Sequence, residues 1–290
     1  MPHHRGIPAE PQPDPQPDPQ PAPRASGSAL DLEFAQLTDV GRVREHNEDF
    51  LGHAEPGSPE RGWLFAVADG VGGQEFGEVA SRAAVETLLA GYRSASAGEQ
   101  HPALLQRLVQ AANIKVYETG RDASPGGVAM ATTIVACALK YDRATVAHVG
   151  DSRCYLIRHR HAMALTRDHT VVNEQVRLGL MSAKEAATAE TRHVLSRTLG
   201  MELFVNVDVS EHQIEPDDVL LLCSDGLHGP VGPQEIARAV DHSSTLQEAA
   251  QKLIGLANEN DGKDNVTVQL VRIRKVERVG MYRGRPYKLR

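Results

Sequence analysis

Two stretches of this chain repeat one design. The apolar run 64–68 ends on Asp69-Gly70, and the apolar run 220–223 ends on Ser224-Asp225-Gly226. Asp264-Asn265 stands directly before a further apolar run, 266–273, and Glu48-Asp49 follows the strand-like stretch 37–40 and its turn. Acids therefore fall at the ends of four otherwise apolar segments, and a glycine beside two of them lets backbone approach a ligand closely. A single Asp-Gly pair is an ordinary turn. Several such ends are another matter, because strands in neighbouring sheets would bring the carboxylates together. Clustered anions resist desolvation unless a cation neutralises them. An all-oxygen set suits Mg2+ or Mn2+, and the absence of a Cys/His cluster argues against structural zinc. Two such cations roughly 3.5–4 Å apart bridge a water and lower its pKa, which gives a nucleophile suited to phosphoester hydrolysis.

The elements that must position these acids follow from hydrophobic periodicity. Strands are expected at 63–68, 133–139, 145–149, 154–158, 203–209, 219–223 and 266–273. Apolar residues at helical spacing predict helices over 78–92 and 103–119. Thr245 with Glu248 forms a capping box before a helix at 249–258, and Ser182 with Glu185 forms another before a short one. The turn Gly150-Asp151-Ser152 is expected to close a hairpin between 146–149 and 153–157, with Asp151 and Arg153 fixing it by a local ion pair. Strands in runs with helices between the runs define an α+β fold with antiparallel sheets, not strict βαβ alternation.

The 290 residues carry 41% hydrophobic and 24% charged side chains, enough for a sizeable core. A net charge of −7 argues against nucleic acid as the main partner. Cys137, Cys154 and Cys223 sit inside apolar runs without metal spacing and read as reduced core residues. No apolar run approaches the roughly 20 residues of a membrane span, and the N-terminus has no apolar signal core, so a cytoplasmic location is expected. Residues 1–30 alternate proline with polar residues and read as a disordered tail. One domain is expected over 31–274. Residues 275–290 read as a basic flexible tail.

Five ordered motifs then carry a resemblance that covers roughly residues 34–273. They are the run 38–49 with Arg44, Asn47, Glu48 and Asp49; Asp69-Gly70-Val71-Gly72-Gly73; Gly150-Asp151-Ser152-Arg153; Ser224-Asp225-Gly226-Leu227; and Asp264-Asn265-Val266-Thr267. The sequence resembles the metal-dependent protein phosphatases of type 2C, in particular the bacterial members. The resemblance implies a four-layer α-β-β-α sandwich, two antiparallel sheets flanked by helix pairs, with the metal site at one end. It implies that Asp69 bridges two cations, Mn2+ or Mg2+. Asp225 and Asp264 would complete one site, while Glu48 and the Gly70 carbonyl would hold the other. Asp49 would orient cation-held water from behind, as a catalytic residue that is not a ligand. Arg44 would bind the substrate phosphate through its two-pronged guanidinium, and its bland reading is a surface ion pair with Glu45 or Glu48. A flap spanning about 166–200 would border the site. Its His169 and His193 are candidate proton donors, against the plainer reading of both as capping or packing residues.

Two departures from the family pattern bear on a third, weakly held cation. Val128 stands where relatives usually carry an aspartate, and Gly229 stands four residues past Asp225 where another aspartate is common. That third site is expected to be absent or weak. Substrates implied by the resemblance are phosphoserine and phosphothreonine proteins, a serine/threonine kinase of the same cell among them. The chain is expected to be a monomer. A non-catalytic module that binds phosphoproteins or metal is the alternative.

Overall fold

The computed structural model describes residues 30–57, 61–71, 75–96, 98–123, 129–277, 279–282 and 285–288. The proline-rich segment, Gly72, Gly73 and Val128 lie outside them. In chain order the elements are strands β1 (Leu30–Asp39), β2 (Asp49–Ala54) and β3 (Trp63–Val71), helices α1 (Glu75–Ser94) and α2 (His101–Asp122), and strands β4 (Ala131–Thr132), β5 (Ile134–Lys140), β6 (Arg143–Val149), β7 (Arg153–Arg158) and β8 (His161–Ala164). Helices α3 (Val171–Arg177) and α4 (Ala183–Thr188) and a 3-10 turn (Glu190–His193) follow. The rest comprises β9 (Asp208–Gln213), β10 (Val219–Cys223), α5 (Asp225–His228), α6 (Pro233–Asp241), α7 (Leu246–Asn260), β11 (Val266–Val276), β12 (Val279–Tyr282) and β13 (Arg285–Lys288).

Two antiparallel sheets result, one in the order β1-β11-β10-β7-β8 and one in the order β2-β3-β5-β6-β9, with β4 paired to β3. Alternation along single strands explains the layering. In β3, Trp63, Phe65 and Val67 face the other sheet, where Leu220, Leu222 and Val271 meet them. The intervening Leu64, Ala66 and Ala68 face Ala84, Leu88 and Tyr92 of α1 and Leu105 and Val109 of α2. Likewise Leu221 and Cys223 of β10 turn outward against Ile236 of α6 and Leu253 of α7. Strands buried on both faces read as continuous apolar runs, which is why the sequence displays them so clearly. The arrangement is the four-layer sandwich expected from the sequence, and the three cysteines are buried in it without a disulfide.

Three local expectations fail. The turn 150–152 closes no hairpin, because β6 pairs with β5 and β9 whereas β7 pairs with β10 and β8. Gly150, at φ +102°, instead turns the chain from one sheet to the other at the end of the sandwich. Arg153 does not pair with Asp151; it grips Asp168 through two bonds of 2.7 Å and donates to the Tyr155 hydroxyl. The expected strand 203–209 begins only at Asp208, since residues 200–205 are tied to α2 rather than to a strand. Within the basic C-terminal segment β12 pairs antiparallel with β13, Val279 opposite Lys288. Among the described residues no helix is long and apolar enough to cross a membrane.

Candidate active site

β3, β10 and β11 deliver their acids to one end of the sandwich. Asp69 and Asp49 are cross-strand partners in β2–β3. The other sheet supplies Asp225, just past β10, and Asp264, just before β11. Ser224 joins the sheets: its hydroxyl donates to Asp49 Oδ2 at 2.7 Å and accepts the Thr267 N–H at 3.0 Å. Asn265 holds Glu48 in place. Its Oδ1 accepts the Glu48 N–H at 2.8 Å, and its Nδ2 donates to the carbonyls of Val40 and His46 at 2.9 Å each. Thr132 and Thr133 brace Asp69 from the third direction, with the Thr133 N–H and Thr132 hydroxyl both donating to the Asp69 carbonyl at 2.8 Å. The glycines are steric requirements. A Cβ on Gly226 would stand 2.0 Å from the Asn265 carbonyl oxygen, and one on Gly70 would stand 2.1 Å from that of Gly77.

The electrostatics show what the cluster lacks. Burial pushes the Asp49 carboxyl up to about 7, and Asp225 and Asp264 add repulsion against the opposing Ser224 hydrogen bond. Asp69 is held well above the ordinary carboxylate range by burial and then by Asp49, Asp225 and Asp151. Burial and then Asp264 raise Asp225, and burial raises Glu48. Glu48 Oε1, Asp49 Oδ1 and Asp225 Oδ1 are buried oxygens without a hydrogen-bond donor. Orphaned, mutually repelling, all-oxygen donors fit a divalent cation of the Mg2+ or Mn2+ kind.

Arg44, Glu48, Asp69, Gly70, Asp225 and Asp264 all line one cavity of about 820 Å3. Asp49 lies behind them. The half-exposed Arg44 guanidinium stands at the mouth, 2.9 Å from Asp264 Oδ1 and 3.9 Å from Glu48 Oε2, so the ion pair with Glu48 of its bland reading is present, and Asp264 is a closer partner that reading did not name. The structure separates the two flap histidines. His169 is buried, its Nδ1 accepts the Gly150 N–H, and its ring stacks on His148 at 4.7 Å, so it is a packing residue. His193 lines the cavity and also a second cleft of about 730 Å3 beyond it. Asp151, to which the sequence reading gave no part in the site, faces both clefts, and burial with Asp225 and Asp168 raises its carboxyl to about 8. The signal that it belongs here was its place beside a glycine at a strand end, the same pattern as the other acids.

A sandwich that gathers six acids and a guanidinium at one end defines a metal-dependent hydrolase for an anionic substrate. Residues 36–266 match the family model of protein phosphatase 2C. The chain is 37% identical over 254 residues to the serine/threonine phosphatase stp of Listeria innocua, covering 86% of this chain and 96% of that one. The S. agalactiae serine/threonine phosphatase superposes with a TM-score of 0.78 at 34% identity over 83% of this chain and 99% of its own. The catalytic domain of the phosphatase PstP, solved in complex with two manganese ions, gives 0.72 at 32% identity over 84% and 99%. The chain belongs to the protein phosphatase 2C family and is a serine/threonine protein phosphatase.

Proposed function

We propose that Glu48, Asp69, the Gly70 carbonyl, Asp225 and Asp264 hold two divalent cations, Mn2+ or Mg2+, with Asp69 shared between them. The observation that carries this is that Glu48, Asp69, Asp225 and Asp264 line one cavity, with Glu48 Oε1 and Asp225 Oδ1 buried and without a hydrogen-bond donor. When bound, the cations supply Lewis acidity and a water acidified enough to attack phosphorus near neutral pH. The chain's own groups do the rest. Asp49, held by Ser224 behind the ligands, orients the attacking water. Arg44 leaves Asp264 for the substrate and clamps two phosphate oxygens, drawing the phosphomonoester to the carboxylate end of the cavity. His193, at the junction of the two clefts, protonates the departing serine or threonine oxygen.

The substrates are phosphoserine and phosphothreonine in proteins, the class named for the relatives, and include a serine/threonine kinase of the same cell. No third cation is held tightly, because Gly229, whose N–H donates to the Asp225 carbonyl, puts no carboxylate beside that acid. Installing both missing acids, Val128→Asp with Gly229→Asp, should change the metal dependence, and an unchanged dependence would refute the point. The main test is phosphate release from a phosphothreonine peptide with Mn2+, with Mg2+ and with chelator. Release is expected with metal, none with chelator, and a loss of at least about 100-fold in Asp225→Asn. Chelator-resistant release would exclude the metal-dependent site.

A further inference from the structure

The cavity lining combines two chemistries. Carboxylates and Arg44 supply one; Val71, Val194, Met201 and Phe204, exposed by 40%, 49%, 54% and 78%, supply the other. Scattered single apolar residues at a surface need no explanation, but four lining one cavity beside a catalytic centre do. Phe204 in particular is held out in water by design of the loop beneath it. Gln110 and Asn113 of α2 donate to the Leu203 carbonyl at 2.7 and 3.1 Å, and Asn113 donates to that of Glu202 at 2.8 Å. The same two side chains accept the N–H groups of Gly200 and Val205. Val205 and Val207 anchor the segment by packing inward on the core. This bracing fixes the backbone on either side of Phe204 before any ligand arrives, so little loop-ordering entropy remains to be lost on contact.

We propose that Val71, Val194, Met201 and Phe204 form a specificity shelf that receives an aliphatic or aromatic side chain of the substrate polypeptide, close in sequence to the phosphorylated residue. The occupant is the substrate because the shelf is continuous with the phosphate end of the cavity. A chain whose phosphate lies against Arg44 must lay its neighbouring residues along this lining. The carboxylates repel acidic neighbours, and the exposed apolar side chains gain from an apolar one. Met201 adapts its unbranched side chain to different shapes, so the preference is for apolar character rather than for one residue. This inference rests on the placement of the phosphate site given above.

The test is a set of phosphothreonine peptides in an alanine background. Leucine or phenylalanine is placed singly up to four residues to either side, a reach of roughly 13 Å in extended chain. At one or two positions the apolar residue should lower KM about tenfold, equivalent to about 1.4 kcal/mol, with kcat changed less than about twofold, because the contact is the same in ground and transition states. In Phe204→Ser that discrimination should shrink to about twofold, and in Phe204→Leu most of it should return. Phe204 is mostly exposed, so both variants should melt with the wild type. Equal KM values across the peptides, or discrimination that survives Phe204→Ser, would overturn the shelf while leaving the phosphate site standing. No hydrolysis of any peptide would overturn both. A wild-type dimer that Phe204→Ser converts to monomer, with peptide discrimination unchanged, would assign the patch to a second copy and also overturn the proposal.

Discussion

Replacing Asn265 by alanine tests whether one buried amide holds the second-sheet acids in register with the first. The side chain makes three hydrogen bonds to backbone, from the Glu48 N–H and to the Val40 and His46 carbonyls, across more than 200 residues of sequence. The Glu48 N–H loses its partner in the interior, a cost of about 1–3 kcal/mol, whereas the two carbonyls lie nearer water and forfeit only about 0.5–1 kcal/mol each. The sum is about 3 kcal/mol, which for a domain of this size lowers Tm by about 6–12 °C. Glu48 also loses the bond that sets its backbone, so affinity for Mn2+ should fall about 10–100-fold, as is usual when a group supporting a metal ligand is removed. Thermal melting and calorimetric Mn2+ titration read the two effects separately. Asn260→Ala is the control: its side chain is exposed and donates once, to the Pro230 carbonyl, so its cost should stay within about 0.5 kcal/mol. An Asn265→Ala protein that melts and binds Mn2+ as the wild type does would refute the reasoning.

Three further outcomes follow from single sites. Gly226→Ala must displace the Asn265 carbonyl and should destabilise by more than about 2 kcal/mol, whereas Gly255→Ala, in α7 with nothing within 4 Å of the new carbon, should stabilise by about 0.5–1 kcal/mol; paired urea melts compare them. Asp168→Ala leaves the Arg153 guanidinium largely enclosed without its bidentate partner and should cost about 3–5 kcal/mol by the same measurement. Burial, followed by Arg153, depresses the His228 imidazole to about 4 against an opposing effect of Asp168. The unfolded chain therefore binds the extra proton between about pH 6.5 and 4, and stability falls as pH drops through that window, by about 2 kcal/mol at pH 5. Subtracting the pH–stability curve of His228→Gln from that of the wild type isolates this contribution, and a flat difference would exclude it.

The parts of the fold that the sequence displayed are those where both faces of an element are buried. β3 over 63–68 and all of β10 are unbroken apolar runs, β11 alternates Val266, Val268 and Leu270 with the buried Thr267 and Gln269, and α1 and α2 present apolar residues three and four apart, so pattern located them. β2 and β8 escaped because they are only half covered and their side chains do not alternate cleanly. Segment 203–209 has the alternation of a strand, with Val205 and Val207 facing inward, yet its first residues lie on α2, and nothing local announces that Gln110 and Asn113 will bind them. The same limit explains Asp151 and Arg153. Their two-residue spacing invited a local pair, while the real partner of Arg153, Asp168, arrives from beyond β8. The acids of the centre were legible because each ends an apolar strand. Their supports were not assigned: Ser224 and Asn265 act across the two sheets and Thr133 across neighbouring strands of one, relations that spacing along the chain does not encode.

The most direct measurement of the central claim is calorimetric titration of the purified chain with Mn2+, alongside Asp69→Asn. If the clustered carboxylates hold two cations that share Asp69, the wild type should take up two ions per chain, and the single substitution should weaken both together. Binding of two ions that is indifferent to Asp69, or no binding by a folded wild-type chain, would contradict it.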